Sequence, residues 1–163
     1  MSDITVRRAD PAEYDAVGAL TVAVYRDLRG GHPGEYDAQL QDVAARAAQG
    51  EVYIAVDSDG HLLGSVTFAP HGSEYAEQSA PDEAVFRMLA VAPGARGRGA
   101  GRALVETCVD RARSLGLRRL RLSTQLSMRA AHRLYETMGF TRTPDDDWSP
   151  RPGIDLITYA LDL

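Results

Sequence analysis

Between an apolar run over Val85–Val91 and a helix-patterned run over Ala103–Leu115 lies Arg96-Gly97-Arg98-Gly99-Ala100-Gly101-Arg102. Three glycines let this turn adopt positive φ, so that several backbone N–H groups can converge on one point. The helix that follows adds its unpaired first amides and the positive end of its dipole. Three arginines in the same turn bring mobile guanidinium groups. Oriented amides and bidentate cations suit a pyrophosphate, so the loop reads as a site for a nucleotide-containing cofactor. The competing reading is a surface turn rich in glycine and arginine.

Two common phosphate loops fail on spelling. A Walker A loop ends in Gly-Lys-Ser/Thr, and all 18 basic residues of this chain are arginine. A dinucleotide fingerprint needs a third glycine where Gly97 and Gly99 lead to Arg102, and where Gly99 and Gly101 lead to Leu104. No acidic residue closes the next strand-like run, Arg118–Thr124, to hold a ribose. Arg96–Gly101 instead resembles the Q/R-x-x-G-x-G/A loop of the GNAT superfamily of N-acetyltransferases, with Leu89-Ala90-Val91-Ala92-Pro93 before it and Arg102-Ala103-Leu104-Val105 after it. A second block, Arg133-Leu134-Tyr135-Glu136-Thr137-Met138-Gly139-Phe140, is similar to the family's L-Y-E-x-x-G-F segment. The close match covers Val85–Phe140; the flanks agree in pattern only.

The resemblance implies acetyl transfer from acetyl-CoA (coenzyme A) to a primary amine of a small molecule or peptide, by direct attack through a tetrahedral intermediate. It assigns the pyrophosphate to Arg96, Gly97, Arg98, Gly99, Ala100, Gly101 and Arg102, and the pantetheine arm to main-chain groups of Leu89 and Val91. A bulge in that strand would turn the Leu89 N–H towards the thioester oxygen, where it opposes developing negative charge. Tyr135 is the residue that in the family meets the leaving thiolate. Spacing alone favours packing for it, since Ala131, Leu134, Tyr135 and Met138 share one helical face. An alkylammonium acceptor must also lose a proton. The histone-acetylating branch places a glutamate two residues before the bulge, and here that position is Arg87. Arginine is no base at neutral pH, which leaves Glu83 first, then Glu74, Asp82, a water relay or the solvent. Arg87 either holds a substrate carboxylate or phosphate, or pairs with a nearby acid. Met128 replaces an asparagine that contacts pantetheine in many relatives, so Gln125, Ser127 or His132 must substitute for it or the bond is lost. An acyl-CoA-binding regulatory module without turnover, and a phosphate-binding interaction domain, are the alternatives to an enzyme.

These residues need elements to hold them. Ile4–Arg8 alternates as a strand, and Asp10-Pro11 predicts a helix start. Tyr14, Val17, Leu20, Val24 and Leu28 keep helical spacing, and Leu40, Val43, Ala44 and Ala47 repeat it until Gly50. Glu51–Val56 and His61–Phe68 flank Asp57-Ser58-Asp59-Gly60, a hairpin sequence. His71–Glu83 reads as a loop bordering the acceptor. A strand, the glycine loop, a helix through Leu115, a strand over Arg118–Thr124, a helix near Ser127–Met138 and a strand near Ile154–Leu161 follow. The expected fold is α/β (α+β), the GNAT fold: a single mixed central sheet of about six to seven strands with about four helices, in the order β-α-α-β-β-β-α-β-α-β. Acceptor choice falls to Tyr25–Tyr36, His71–Glu83 and Thr143–Gly153, where Asp145-Asp146-Asp147 would attract a cation, Arg87 an anion, and Trp148 either closes the site or packs its edge.

At 163 residues, 44% hydrophobic and 25% charged, the chain fits one domain over 1–163. A net charge of −5 argues against a nucleic-acid footprint. No membrane-spanning run and no secretory leader are evident, so a cytoplasmic enzyme is expected. Cys108 has no disulfide partner and shares an apolar helical face with Leu104, Val105, Val109 and Ala112, which makes it a core residue. No metal site is expected, and a homodimer through the last strands is compatible with the fold.

Overall fold

The computed structural model describes residues 3–163. Its strands are β1 (Thr5–Arg8), β2 (Glu51–Val56), β3 (Leu62–Pro70), β4 (Glu83–Val91), β5 (Arg119–Gln125), β6 (Thr141–Arg142), β7 (Trp148–Arg151) and β8 (Ile154–Asp162). Its helices are α1 (Tyr14–Leu28), α2 (Asp37–Gln41), α3 (Val43–Gln49), α4 (Ala100–Ser114) and α5 (Arg129–Thr137). One sheet of eight strands runs in the order β1-β2-β3-β4-β5-β8-β6, with β7 also pairing β8. Only the β4–β5 pair is parallel among the described residues, and α4 makes its crossover.

The sheet and helix order match the expectation, with three additions. Short β6 and β7 both pair with β8, which gives eight strands rather than six or seven. The second amphipathic run is two helices. Asp42 leaves helical geometry (φ −83°, ψ 72°), and its carboxylate accepts the Ala45 N–H at 3.1 Å, so one residue ends α2 and caps α3. The helix predicted at Asp10 opens with a short 3-10 turn, Pro11–Glu13, in which the Glu13 carboxylate accepts the Asp10 N–H at 2.9 Å. The β2–β3 hairpin forms as expected, closed by the Asp57 carboxylate on the amides of Asp59 and His61.

Each sheet face carries its own core. Phe68, Phe86, Leu120 and Leu122 pack against Leu104, Val105, Cys108 and Ala112 of α4 and Tyr135 of α5. Burial raises the Cys108 thiol pKa, so it remains a packing group. On the opposite face α1, α2 and α3 cover β2, β3 and β4 through Val17, Leu40, Val43, Ile54, Val85 and Met88.

Two irregularities in β4 matter for the site. Ser65 pairs with Ala90 and Thr67 with Arg87, so two steps on β3 face three on β4. The extra residue lies at Met88–Leu89, and Met88 has a φ of 57°, rare for a side chain of that size. The β4–β5 pairing stops after Glu83↔Arg119, Ala84↔Leu120 and Val85↔Arg121, while β5 continues along β8 to Gln125. The two strands therefore part beyond Val85, and the bulge lies where they have separated.

Candidate active site

The glycine loop leads from β4 into α4. Gly97 (φ 80°) and Gly99 (φ 89°) both take left-handed geometry, and a Cβ on either would meet only open space. They are glycines for the turn they make. The α4 ladder begins with Ala103 N–H donating to the Gly99 carbonyl, so the amides of Ala100, Gly101 and Arg102 have no partner within the helix. Arg96, Arg98 and Arg102 are exposed or nearly so around these amides. Arg98 pairs loosely with Asp3 at 3.3 Å and Arg102 with Glu106 at 3.1 Å, contacts that an incoming dianion can replace. Free amides, open space and exchangeable cations fit a pyrophosphate.

Tyr135 is 3% exposed, its ring edge-on to Phe86 at 5.7 Å and tilted against Phe140 and Tyr159, each at 6.0 Å. The tyrosine that the motif singles out is therefore also a core residue. Burial, with lesser contributions from Cys108 and Tyr159, raises its pKa above that of an ordinary phenol. It is neutral at any working pH and can donate a hydrogen bond. Phe86, against which it packs, lies three residues before Leu89 on β4.

His132 turns towards the end of β5, its Nε2 donating to the Gln125 carbonyl at 3.0 Å and lying 3.3 Å from Thr124 Oγ1. Burial lowers its pKa, and the Gln125 bond and the charge of Glu136 only partly offset that, which keeps the ring neutral. Thr124 Oγ1 also donates to Met128 Sδ at 3.7 Å. The position that is asparagine in many GNAT proteins is thus filled by a thioether that accepts from within the chain.

The opposite side of the parted strands is aromatic and cationic. Arg87 donates to the Tyr36 hydroxyl at 2.6 Å and lies over the rings of Tyr75 and Tyr36, 5.6 and 6.0 Å from their centroids. Tyr25 packs on Tyr36 at 6.2 Å, and burial raises its pKa, with Tyr36 and Tyr135 adding to the shift. Glu77 and Gln78 line a small cavity with Val85, Leu122 and Ser123, at the point where β4 and β5 separate. Trp148 Nε1 donates to Ser123 Oγ at 2.9 Å, which pins β7 to this rim. Tyr36, Tyr75 and Glu77 lie in segments without periodicity, and Tyr25 lies within the helical run of α1, whose spacing does not single it out.

Glu83 does not lie at this site. It sits at the closed end of the β4–β5 pair, six residues before Leu89, roughly 20 Å away at strand rise. Its carboxylate is 2% exposed and is held by Arg121 at 2.8 Å, Arg118 at 3.3 Å, Arg119 at 3.4 Å and the Ala80 N–H at 2.8 Å. Burial pushes the carboxyl pKa up, but Arg121, the Ala80 amide and Arg119 outweigh it and the net shift is downward. Distance and acidity both argue against a base there. The other two carboxylates named from the sequence are also engaged elsewhere, Asp82 with Arg118 and Glu74 with the Gln49 amide. The acidic run is largely used internally: Asp146 pairs with Arg121 and Asp147 with Arg142, each at 2.8 Å.

Comparison with known proteins agrees with this geometry. The family model described as the acetyltransferase (GNAT) family matches residues 20–140. The mycothiol acetyltransferase of Cellulomonas flavigena is 34% identical over 114 residues, covering 64% of this chain and 33% of that protein. Its counterpart from Sanguibacter keddieii is 29% identical over 153 residues, covering 91% and 47%. The chain spans between a third and a half of the length of these curated relatives. Among solved structures, a GCN5-related N-acetyltransferase from Kribbella flavida superposes with a TM-score of 0.73 at 27% identity, covering 99% of this chain and 98% of that one. The Salmonella typhimurium protein yncA, solved with its cofactor acetyl-CoA, gives a TM-score of 0.70 at 21% identity over 99% and 95% of the two chains.

Proposed function

The chain belongs to the GNAT acetyltransferase family, and on that premise we propose that it transfers an acetyl group from acetyl-CoA to the primary amine of a small molecule. The observation that carries the reading is the parting of β4 from β5 after Val85, just before the bulge at Met88. The parted strands leave the main chain of Leu89 and Val91 without a β5 partner, next to a loop of free amides suited to a pyrophosphate.

Acetyl-CoA supplies the activated acetyl group as a thioester. The chain's own groups have separate tasks around it. The amides of the loop and the guanidinium groups of Arg96, Arg98 and Arg102 hold the pyrophosphate. The Leu89 N–H, re-aimed by the bulge, opposes negative charge on the acyl oxygen. The Tyr135 hydroxyl donates to the departing sulfur. Its raised pKa makes complete proton transfer to a thiolate of about 8.5 uphill by more than about 2 kcal/mol, so a strong hydrogen bond is its contribution. Glu77, exposed at the small cavity that Val85 and Ser123 line together with Arg121 and Asp146, is the carboxylate to which we assign the acceptor's proton, taken through water.

Calorimetric titration with acetyl-CoA, followed by thiol release across an amine panel, tests the proposal. Wild type should bind at micromolar concentration, and an Arg96→Ala/Arg98→Ala variant should bind about tenfold or more weakly, the scale of one or two lost charge-assisted contacts. Thiol release with at least one amine is the expected second result. No binding by wild type would overturn the reading.

A further inference from the structure

Two arginines lie together behind the parted strands without a counter-ion. Arg46 on α3 is 1% exposed, and its guanidinium donates to Thr67 Oγ1 at 2.9 Å and to the carbonyls of Leu40 and Gln39 at 2.8 and 3.2 Å. Thr67 is the register partner of Arg87, so the two cations flank one position of the sheet. Each of Arg46 and Arg87 acts on Tyr25, and Arg87 adds to the destabilisation of charge on Arg46. Among the described residues no carboxylate lies within ion-pair distance of either guanidinium. Every bond that Arg46 makes, and the one that Arg87 makes, goes to a neutral oxygen.

This differs from how the chain treats its other sheltered arginines. Arg121, with a side chain 15% exposed, has both Glu83 and Asp146 at 2.8 Å. Two acids that act electrostatically on Tyr75, which faces Arg87, are occupied: Asp42 caps α3 and Glu74 is bound by Gln49. Burying two like charges side by side is costly unless an anion joins them. Arg87 is the more open of the two, and its plane is fixed by Tyr36 and Tyr75. A guanidinium held in this way presents a rigid fork, suited to bidentate oxygen anions. It is two residues from Leu89, at most about 7 Å along the chain. One small molecule can therefore present an amine at the bulge and an anion at Arg87.

We infer that Arg87, backed by Arg46 and framed by Tyr36 and Tyr75, receives an anionic group of the acceptor, so that the acceptor is an amino acid or an aminoalkyl phosphate. The inference rests on the acetyltransferase reading above. Arg87 reads the anion directly. Arg46 is a positioning residue that keeps the positive potential high and orders Thr67 beneath it.

The test compares thiol release from acetyl-CoA for matched pairs, the common amino acids against their amides and phosphoethanolamine against ethanolamine. In parallel, the N-acetyl amino acids, N-acetylphosphoethanolamine and their neutral counterparts are titrated calorimetrically into enzyme saturated with coenzyme A. At least one anionic member should exceed its neutral counterpart by about tenfold or more in kcat/KM and in affinity, and the arm in which it falls tells carboxylate from phosphate. Arg87→Gln should reduce that ratio to about twofold or less while acetyl-CoA affinity stays at the wild-type value, which also reports that the variant is folded. Equal use of neutral and anionic members by wild type overturns the inference, as does an Arg87→Gln variant that loses both members equally. If no amine releases thiol, the acetyltransferase reading fails, and the calorimetric arm still decides the anion site: tighter binding of the anionic compounds supports it, and equal or absent binding removes it.

Discussion

Tyr135 is a core residue to which the proposed mechanism also assigns the leaving thiolate. Its ring is locked among Phe86, Phe140 and Tyr159, so the hydroxyl has little freedom to find a different partner. Tyr135→Phe keeps that packing and deletes only the donor. Turnover should fall at least about tenfold with acetyl-CoA affinity nearly unchanged, as expected when a group acts late in the reaction; steady-state rates beside a calorimetric titration check this, and unaltered turnover would remove Tyr135 from the mechanism. The motif around Tyr135 was legible in the sequence, and so were the loop glycines, because both depend on local spelling. Glu83 shows the limit. Its three arginine partners come from residues 118–121, at the start of a strand that only the crossover brings beside it, so closeness along the chain could not reveal that it was already taken.

At the scale of elements, the clamp at Glu83 and the gap beyond Val85 are two ends of one device. The clamp joins β4 to β5, and Arg121 carries it on to Asp146, next to β7. Fixing the strands at one end lets them diverge at the other without the sheet splitting. Glu83→Gln should therefore lower unfolding stability by about 3 kcal/mol, since it leaves sheltered arginines with one carboxylate fewer, as read from urea denaturation. Below the unfolding transition its turnover should stay within about twofold of wild type, whereas loss of a general base would cost about a hundredfold. The hairpin, the strand–loop–helix unit and the helix carrying Tyr135 could be read from pattern. The break at Asp42 could not, because Leu40, Val43, Ala44 and Ala47 keep helical spacing straight across it. Short β6 and β7 escaped for a different reason: the first is only two residues long, and the second contains Pro150.

For the whole molecule, charge pairing decides the response to acid. Hydrogen bonds from Arg7 and Arg26 respectively bring the carboxyls of Glu13 and Asp37 down to about 2, and Glu51, Asp82, Glu83 and Asp147 also lie below their ordinary values. A depressed carboxyl is ionised in the folded chain when its unfolded counterpart, at about 4, has begun to take up protons. Its stabilisation is thus complete above about pH 5 and is lost as pH falls towards 2. Calorimetric Tm should be level between about pH 5 and 7 and should drop steeply below about pH 4. The net charge of −5 and the exclusive use of arginine were plain from composition. Which acid meets which arginine was not, since partners such as Arg111 and Glu51 are far apart in sequence and meet only when α4 lies across β2.

The gap between β4 and β5 also bears on how this protein must be made and kept apart from its neighbours. When the ribosome has delivered β1 to β4 but not yet β5, β4 is an open edge, and beyond Val85 it keeps that character in the finished fold. Unpaired backbone in the middle of a sheet invites any extended chain nearby to dock there. The bulge at Met88 breaks the regular spacing of donors and acceptors that such a chain would need. The kink to which the proposed mechanism assigns the aiming of one amide therefore also interrupts what would otherwise be a regular open edge.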